Sequence, residues 1–436
     1  MSPLPWRERG AGRRFAGTRR SVACPSGIRR GALVACGALS GSAALLASVA
    51  APAAADRFAG IDVARFPLPT TVETSSGTWA SVPMGHLDQR LNTFWQLFFL
   101  PQGGSRWSNH AADLGAATNG GIVLAASGSS ALLVSIRSSD RLRYSTLLST
   151  SGSGRSWVPG APIPGPTDGL AAGPVSGELA LVARDGGEVL SAASPPPPTS
   201  LGRSAPSGSV GSLPSWRTLV TRHQLASSAA GRTCKPSSLT SVAYDRGGTR
   251  LVGASCRRSG TVGLFAEAHG TWRLVGPRLP SAERGAQVAV LRLGSGGPVP
   301  IGLLAVEASS GVDLLATGPG ADPSTPGLSE PLRLGRGARV LSVGADDALG
   351  PAGEFALYER SSGTERLAVS AGAGKAWSVL PSPPAGTATV AFGASGLADA
   401  LSVDSKVMTD WRLAPGTESW TRHQVVHVDI LFGSSG

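Results

Sequence analysis

Tryptophan recurs through this chain in one local setting, and that recurrence limits the fold more than any other feature. GGSRW ends at Trp107, GSGRSW at Trp157, LPSW at Trp216, HGTW at Trp272, GAGKAW at Trp377 and GTESW at Trp420. Each follows an apolar run and a turn. The intervals are 50, 59, 56, 105 and 43 residues, and halfway through the long one Leu328 stands near where a tryptophan is missing. A period of about 50 residues, each holding several short strands, is the mark of a propeller blade.

The strands within a period can be read directly. IVLAA, ALLVSIRS and YSTLLST precede the turn into SWVPG, and the pattern repeats through LTSVAY, RLVGAS, VGLFAE and TWRLVG to TVAFGA, DALSVD, VMTDWRL and SWTRH. Turn residues separate the runs, with 59 Gly and 33 Pro in 436 residues, and no long amphipathic helix pattern interrupts them. The expectation is an all-β chain forming a single propeller of about seven four-stranded blades, with six or eight as the neighbouring counts. Six complete sets leave FWQLFFL near the start and VVHVDILFG at the end, so the reading closes the ring by pairing N- and C-terminal strands in one blade. It places a lead-in at 56–83, the propeller at 84–436, and a Pro/Ser-rich rim loop at 194–214.

The hairpins before the tryptophans resemble Asp-box repeats, the Ser-x-Asp-x-Gly-x-Thr-Trp turns of sialidases and other secreted propellers. Ser370 to Trp377 keeps the Ser, Gly374 and Trp but has Gly372 at the Asp position, and Thr150 to Trp157 keeps Gly154 and Trp with Gly152 there. The resemblance covers about a quarter of each blade. It implies a fold, since such turns lie away from the active site in sialidases.

Residues 1–55 read as an export leader. An Arg-rich start ends at Arg29-Arg30, an apolar run spans 31–50, and Ala53 and Ala55 precede a cut at Asp56. Cleavage leaves no transmembrane segment and a secreted, extracellular chain. Leu33-Val34-Ala35-Cys36 resembles a lipoprotein box, but the apolar run continues past Cys36, so a lipid anchor there is the lesser reading. Eight of the 39 Lys and Arg lie in the leader. The formal charge of +11 therefore falls to about +4, no basic stripe with interleaved aromatics appears, and nucleic acid is not an expected partner. Cys234 and Cys256 remain as an even pair flanking a hairpin and are expected to form a disulfide in an oxidising compartment.

No residue set declares chemistry. The resemblance would imply an arginine cluster, a Tyr nucleophile with a Glu base and an acidic proton donor. Tyr144 and Tyr244 fall in apolar runs, Tyr358 and Glu359 are adjacent and so face opposite sides of a strand, and Arg65-Phe66-Pro67 precedes the first assigned blade. His223 and His423 share the tetrapeptide TRHQ after a tryptophan and read as repeat-equivalent, while His427 belongs to the closing strand. Asp346-Asp347, Asp399, Asp404 and Asp410 read as solvated turn or blade-edge positions without the spacing of a calcium loop. No catalytic, cofactor-binding or metal residue is assigned, and no cofactor. The expectation is a monomeric, non-catalytic propeller binding a surface glycan or protein at its face; the alternative is a diverged sialidase-like exo-glycosidase.

Overall fold

The computed structural model describes residues 67–429 apart from 86–92, 128–129, 138–143, 174–177, 184–185, 194–214, 245–247, 292–302, 319–326, 329–330, 346–352, 371–375 and 394–395. The leader, the loop at 194–214, Arg65-Phe66 and Asp346-Asp347 lie outside the described residues.

The fold is an all-β propeller. Its strands run as consecutive antiparallel meanders over 70–109, 122–159, 167–221, 236–274, 287–334, 339–380 and 387–427. Five of these are self-contained sheets of four or five strands. The meanders 70–109 and 339–380 instead share one eight-stranded sheet, joined by a single parallel pairing of Thr70 with Val343. The expected set of about seven separate four-stranded blades is therefore corrected to five separate sheets and one merged sheet. The merger has a local cause. Ser342 Oγ donates to the Pro69 carbonyl at 2.9 Å, and the Thr70 hydroxyl reaches the Val343 carbonyl at 3.4 Å, which holds the two strands together.

First strands of successive meanders lie beside one another: Thr70–Thr74 by Ile122–Ser127, then Thr167–Ala172, Pro236–Tyr244 and Gln287–Leu291, with Arg339–Ala345 beside Thr387–Phe392 and the latter beside Thr70–Thr74. The apolar cores lie between consecutive meanders, because alternate residues of each strand face alternate neighbours. Trp79, Trp95 and Leu97 pack with Ile122, Leu124 and Leu132, for example, and Ala80, Val82 and Phe98 pack with Leu401 and Met408 of the last meander. Each fully buried aliphatic or aromatic side chain there contributes on the order of 1.5–3 kcal/mol.

Ring closure also departs from expectation. Among the described residues the first and last meanders form no common sheet: 70–109 and 387–427 are each contiguous. The reason is that Thr70–Thr74 and Gly77–Gly85, in the stretch read as a lead-in, supply the two strands that the first blade had seemed to lack. Closure comes from contacts between the two sheets. Gly85 N donates to the Ser405 carbonyl at 2.9 Å, and the Gln424 amide bonds both backbone polar groups of Trp107, at 2.8 and 3.0 Å.

The expected tryptophan repeat has a clear structural position. Trp107, Trp157, Trp216, Trp377 and Trp420 each stand immediately before the outermost strand of their meander, and Trp272 is the second residue of its own. Gly154 shows why the preceding turn needs glycine. It has φ +74°, and a Cβ there would meet Trp79 at 2.6 Å. Between the third and fourth meanders the chain forms two helices, α1 (Arg222–Ser227) and α2 (Ala229–Cys234). Thr221 and Gln224 form a capping box on α1, and Ser228 caps α2.

Candidate functional site

The last meander carries a polar cluster on a face otherwise given to packing. In Ala398–Asp404 and Val407–Leu413, the period-two alternation that aims Leu401 and Met408 at the first meander also places Asp399, Asp410 and Arg412 on that side. Asp399 lies opposite Arg412 in the register. In the outer strand Asp410 pairs with Gln424 and Trp411 with Arg422, so His423 is the extra residue of a bulge beside them.

The geometry binds the four together. Arg412 Nε donates to Asp399 Oδ1 at 2.9 Å and lies 3.7 Å from Asp410 Oδ2, while its Nη2 reaches the Ser105 carbonyl at 2.8 Å. His423 Nε2 is 3.0 Å from Arg412 Nη1, and its Nδ1 is 3.1 Å from Asp410 Oδ2. A guanidinium only donates, so Nε2 accepts and the ring proton sits on Nδ1, donating to Asp410. The side chains of Asp410 and Asp399 are 0% and 4% exposed, against 30% for His423, so the cluster meets solvent through its histidine. Asp410 Oδ1 is buried and has no hydrogen-bond partner among the described residues.

Burial pushes both carboxyls up to about 6; the Asp410 charge adds to the effect at Asp399, and Arg412 opposes it at both. His423 is pushed below its ordinary value, first by its partial burial and then by the Arg412 charge. At neutral pH the cluster thus holds two acids against one permanent cation.

A second cluster joins the 167–221 and 236–274 meanders. Glu178 accepts from Arg217 Nη2 at 3.2 Å and from Arg250 Nη2 at 2.7 Å, and Arg250 Nη1 donates to Glu267 at 2.8 Å. Burial alone would raise the Glu178 carboxyl, but the Arg250 and Arg217 hydrogen bonds outweigh it and hold the group below its ordinary value. Tyr244 lies beside this set, pairing with Arg250 in the strand register, and its side chain is buried. Burial, then the Glu178 charge, push its hydroxyl well above the usual phenol range; Arg250 and Glu178 lie beside the oxygen, but none of the described residues makes a hydrogen bond of ordinary geometry to it. Both clusters lie at the end of the ring where the first strands finish.

The other singled-out residues separate cleanly. Cys234 and Cys256 form the expected disulfide. Tyr144 is exposed, contrary to its placement in an apolar run. Tyr358 is in a core cluster while Glu359 pairs with Arg339, as their adjacency in a strand requires. Asp404 is exposed at a hairpin end, but Asp399 and Asp410 are buried in strands rather than solvated at edges, because they share the packing face of Leu401 and Met408. His223 and His423 are not equivalent. TRHQ starts α1 in one copy and an outer strand in the other, since Thr221 falls five residues after its tryptophan and Thr421 only one. Among the described residues, no three His, Cys, Asp or Glu side chains gather as a metal site, and no helix is long and apolar enough to cross a membrane.

No protein-family model matches the chain, and no curated protein matches it. Solved structures do resemble it in fold. The periplasmic gluconolactonase PpgL of Pseudomonas aeruginosa aligns with TM-score 0.52 at 11% identity, over 80% of this chain and 95% of that one. A protein described as a 6-phosphogluconolactonase from Bacteroides uniformis aligns with TM-score 0.51 at 12% identity, over 81% and 97%. At such identities the likeness defines the class, a β-propeller, and nothing finer. The Asp-box resemblance continues to rest on the turns alone.

Proposed function

We propose that the chain is an exported propeller that acts by binding a surface glycan or protein rather than by catalysis. The observation that carries this reading is the composition of the first strands, which surround the axis. They are built mostly from Val, Ala, Ser, Thr and Leu, and the charged residues among them are Glu73, Asp168 and Arg339; Asp168 is paired with the buried Arg137 at 3.4 Å. An exo-glycosidase centred on the axis would need acids and arginines converging there. The leader-like residues 1–55 and the disulfide support export.

In the Asp399–Asp410 cluster the histidine is not a free base. Both His423 nitrogens are engaged, so the ring has no free lone pair with which to take a proton from a substrate.

One observation favours the alternative. Tyr244, Glu178, Arg217 and Arg250 are the residue types that the sialidase resemblance implies, gathered in one place. Yet the hydroxyl is buried and its proton is held more tightly than in free tyrosine, the opposite of what a nucleophile needs. The secreted protein, passed over cell-wall, glycan and surface-protein fractions, is expected to be retained on at least one. Passage through all of them, with turnover of a glycoside or a lactone, would replace binding by hydrolysis.

A further inference from the structure

The charge of this protein is modest in total but concentrated in space. From 215 to 266 there are eight Lys and Arg against one acid, Asp245. Four of those cations are brought together where α2 ends. Cys234 closes the helix, and its disulfide to Cys256 fixes the end of the strand Arg250–Cys256 beside it. Arg257 N donates to the carbonyls of Cys234 and Lys235 at 3.1 and 3.2 Å, and Arg258 N to that of Cys234 at 3.4 Å. Arg232, Lys235, Arg257 and Arg258 are all exposed around this junction.

Nothing neutralises them. Among the described residues none of the four has a carboxylate partner; the Arg232 guanidinium reaches only the Ser227 carbonyl, at 3.4 Å. Glu283, in the segment that Gly285 ties to the Cys256 carbonyl, keeps its charge but accepts from Ser309 rather than from any of the four. Lys235 also adopts φ 54°, a left-handed helix cap where glycine is favoured, so the fold carries backbone strain to keep a cation there. The patch lies at the end of the ring where first strands begin, opposite the two polar clusters.

We infer that this junction is the docking surface for an acidic polysaccharide, a chain bearing repeated carboxylates. The inference deepens the binding reading and rests on it. A cluster of unpaired cations recognises repeated negative charge. The most exposed large apolar side chains among the described residues are Tyr144, Val379 and Val425, all on other meanders, so the patch offers no apolar wedge for a bilayer; the aromatic beside it, Trp272, is half-buried against the core.

The test uses the secreted full-length protein and polygalacturonate, with dextran, duplex DNA and anionic phospholipid vesicles alongside. Binding to polygalacturonate that weakens as salt rises is expected, with none to dextran. Arg257→Glu with Arg258→Glu should weaken it at least about tenfold. Arg360→Glu with Arg422→Glu, of equal charge on other meanders, should leave it nearly unchanged. Absence of polygalacturonate binding, equal loss in both double variants, or tighter binding to DNA or vesicles would each overturn the assignment. Retention on another surface fraction would still leave the binding reading standing, whereas hydrolysis would end that reading whatever the patch does.

Discussion

The two polar clusters use nearly the same residue types and reach opposite electrostatic states. Between the 167–221 and 236–274 meanders, Glu178 and Glu267 meet Arg217 and Arg250, two acids for two permanent cations, and Glu178 stays ionised below its ordinary range. In the last meander Asp399 and Asp410 share Arg412 alone, because His423 is held neutral, and both carboxyls rise to about 6. Burial acts at both sites but is deeper at the two aspartates, so depth of burial and the number of fixed cations per acid together separate the clusters: burial penalises every carboxylate, and a matched guanidinium opposes the penalty.

The largest effect should come from breaking the balanced cluster. Glu178→Gln leaves Arg250 facing one acid instead of two and Arg217 facing none, at a cost of about 3 kcal/mol in urea unfolding. A loss below about 1 kcal/mol would mean the arginines simply turn to solvent, which Arg217, 71% exposed, can do more easily than Arg250.

Next in size is the pH response, where the clusters should pull in opposite directions. Asp399 and Asp410 bind protons more tightly folded than unfolded. Their contribution is complete below about pH 3.8 and lost as pH rises through about 6, roughly 2–3 kcal/mol for one shared proton. Glu178, held low, contributes above about 4.5 and loses that contribution as pH falls. Unfolding free energies of Asp410→Asn and of the parent, measured from pH 4 to 8, should therefore diverge in the variant's favour as pH rises. A constant difference across that range would place the ionisation elsewhere.

Smallest is Tyr244→Phe. It removes a buried hydroxyl without a hydrogen bond of ordinary geometry, so stability should change by less than about 1 kcal/mol. A loss of 2 kcal/mol or more would show that the hydroxyl bonds Glu178 or Arg250 in solution.

Much of the architecture was legible because tryptophan marks a place in it. A large apolar ring packs at the start of the outer strand, and Trp107, Trp157, Trp216, Trp377 and Trp420 each stand just before one, with Trp272 one residue inside its own. The disulfide was legible because its two cysteines flank one hairpin. The first blade was not, since TTVET is only five residues long and GTWASVPMG carries Gly, Ser and Pro that read as linker; both become strands against a neighbouring sheet. TRHQ misled for a related reason: four residues do not choose between helix and strand, and the capping box at Thr221 chose helix only once. The acidic cluster left a trace in VMTDWRL, where Met408, Asp410 and Arg412 share one face. Charges on a packing face are the signal, but their partners Asp399 and His423 come from other strands and no local pattern announces them.

The most direct measurement is turnover by the secreted protein of a fluorogenic sialoside, a panel of other aryl glycosides and a sugar lactone, with Asp410→Asn and Tyr244→Phe beside it. A binding propeller predicts no turnover of any substrate by the parent or by either variant. Turnover by the parent that disappears in Asp410→Asn or Tyr244→Phe would contradict it and make one of these two clusters an active site.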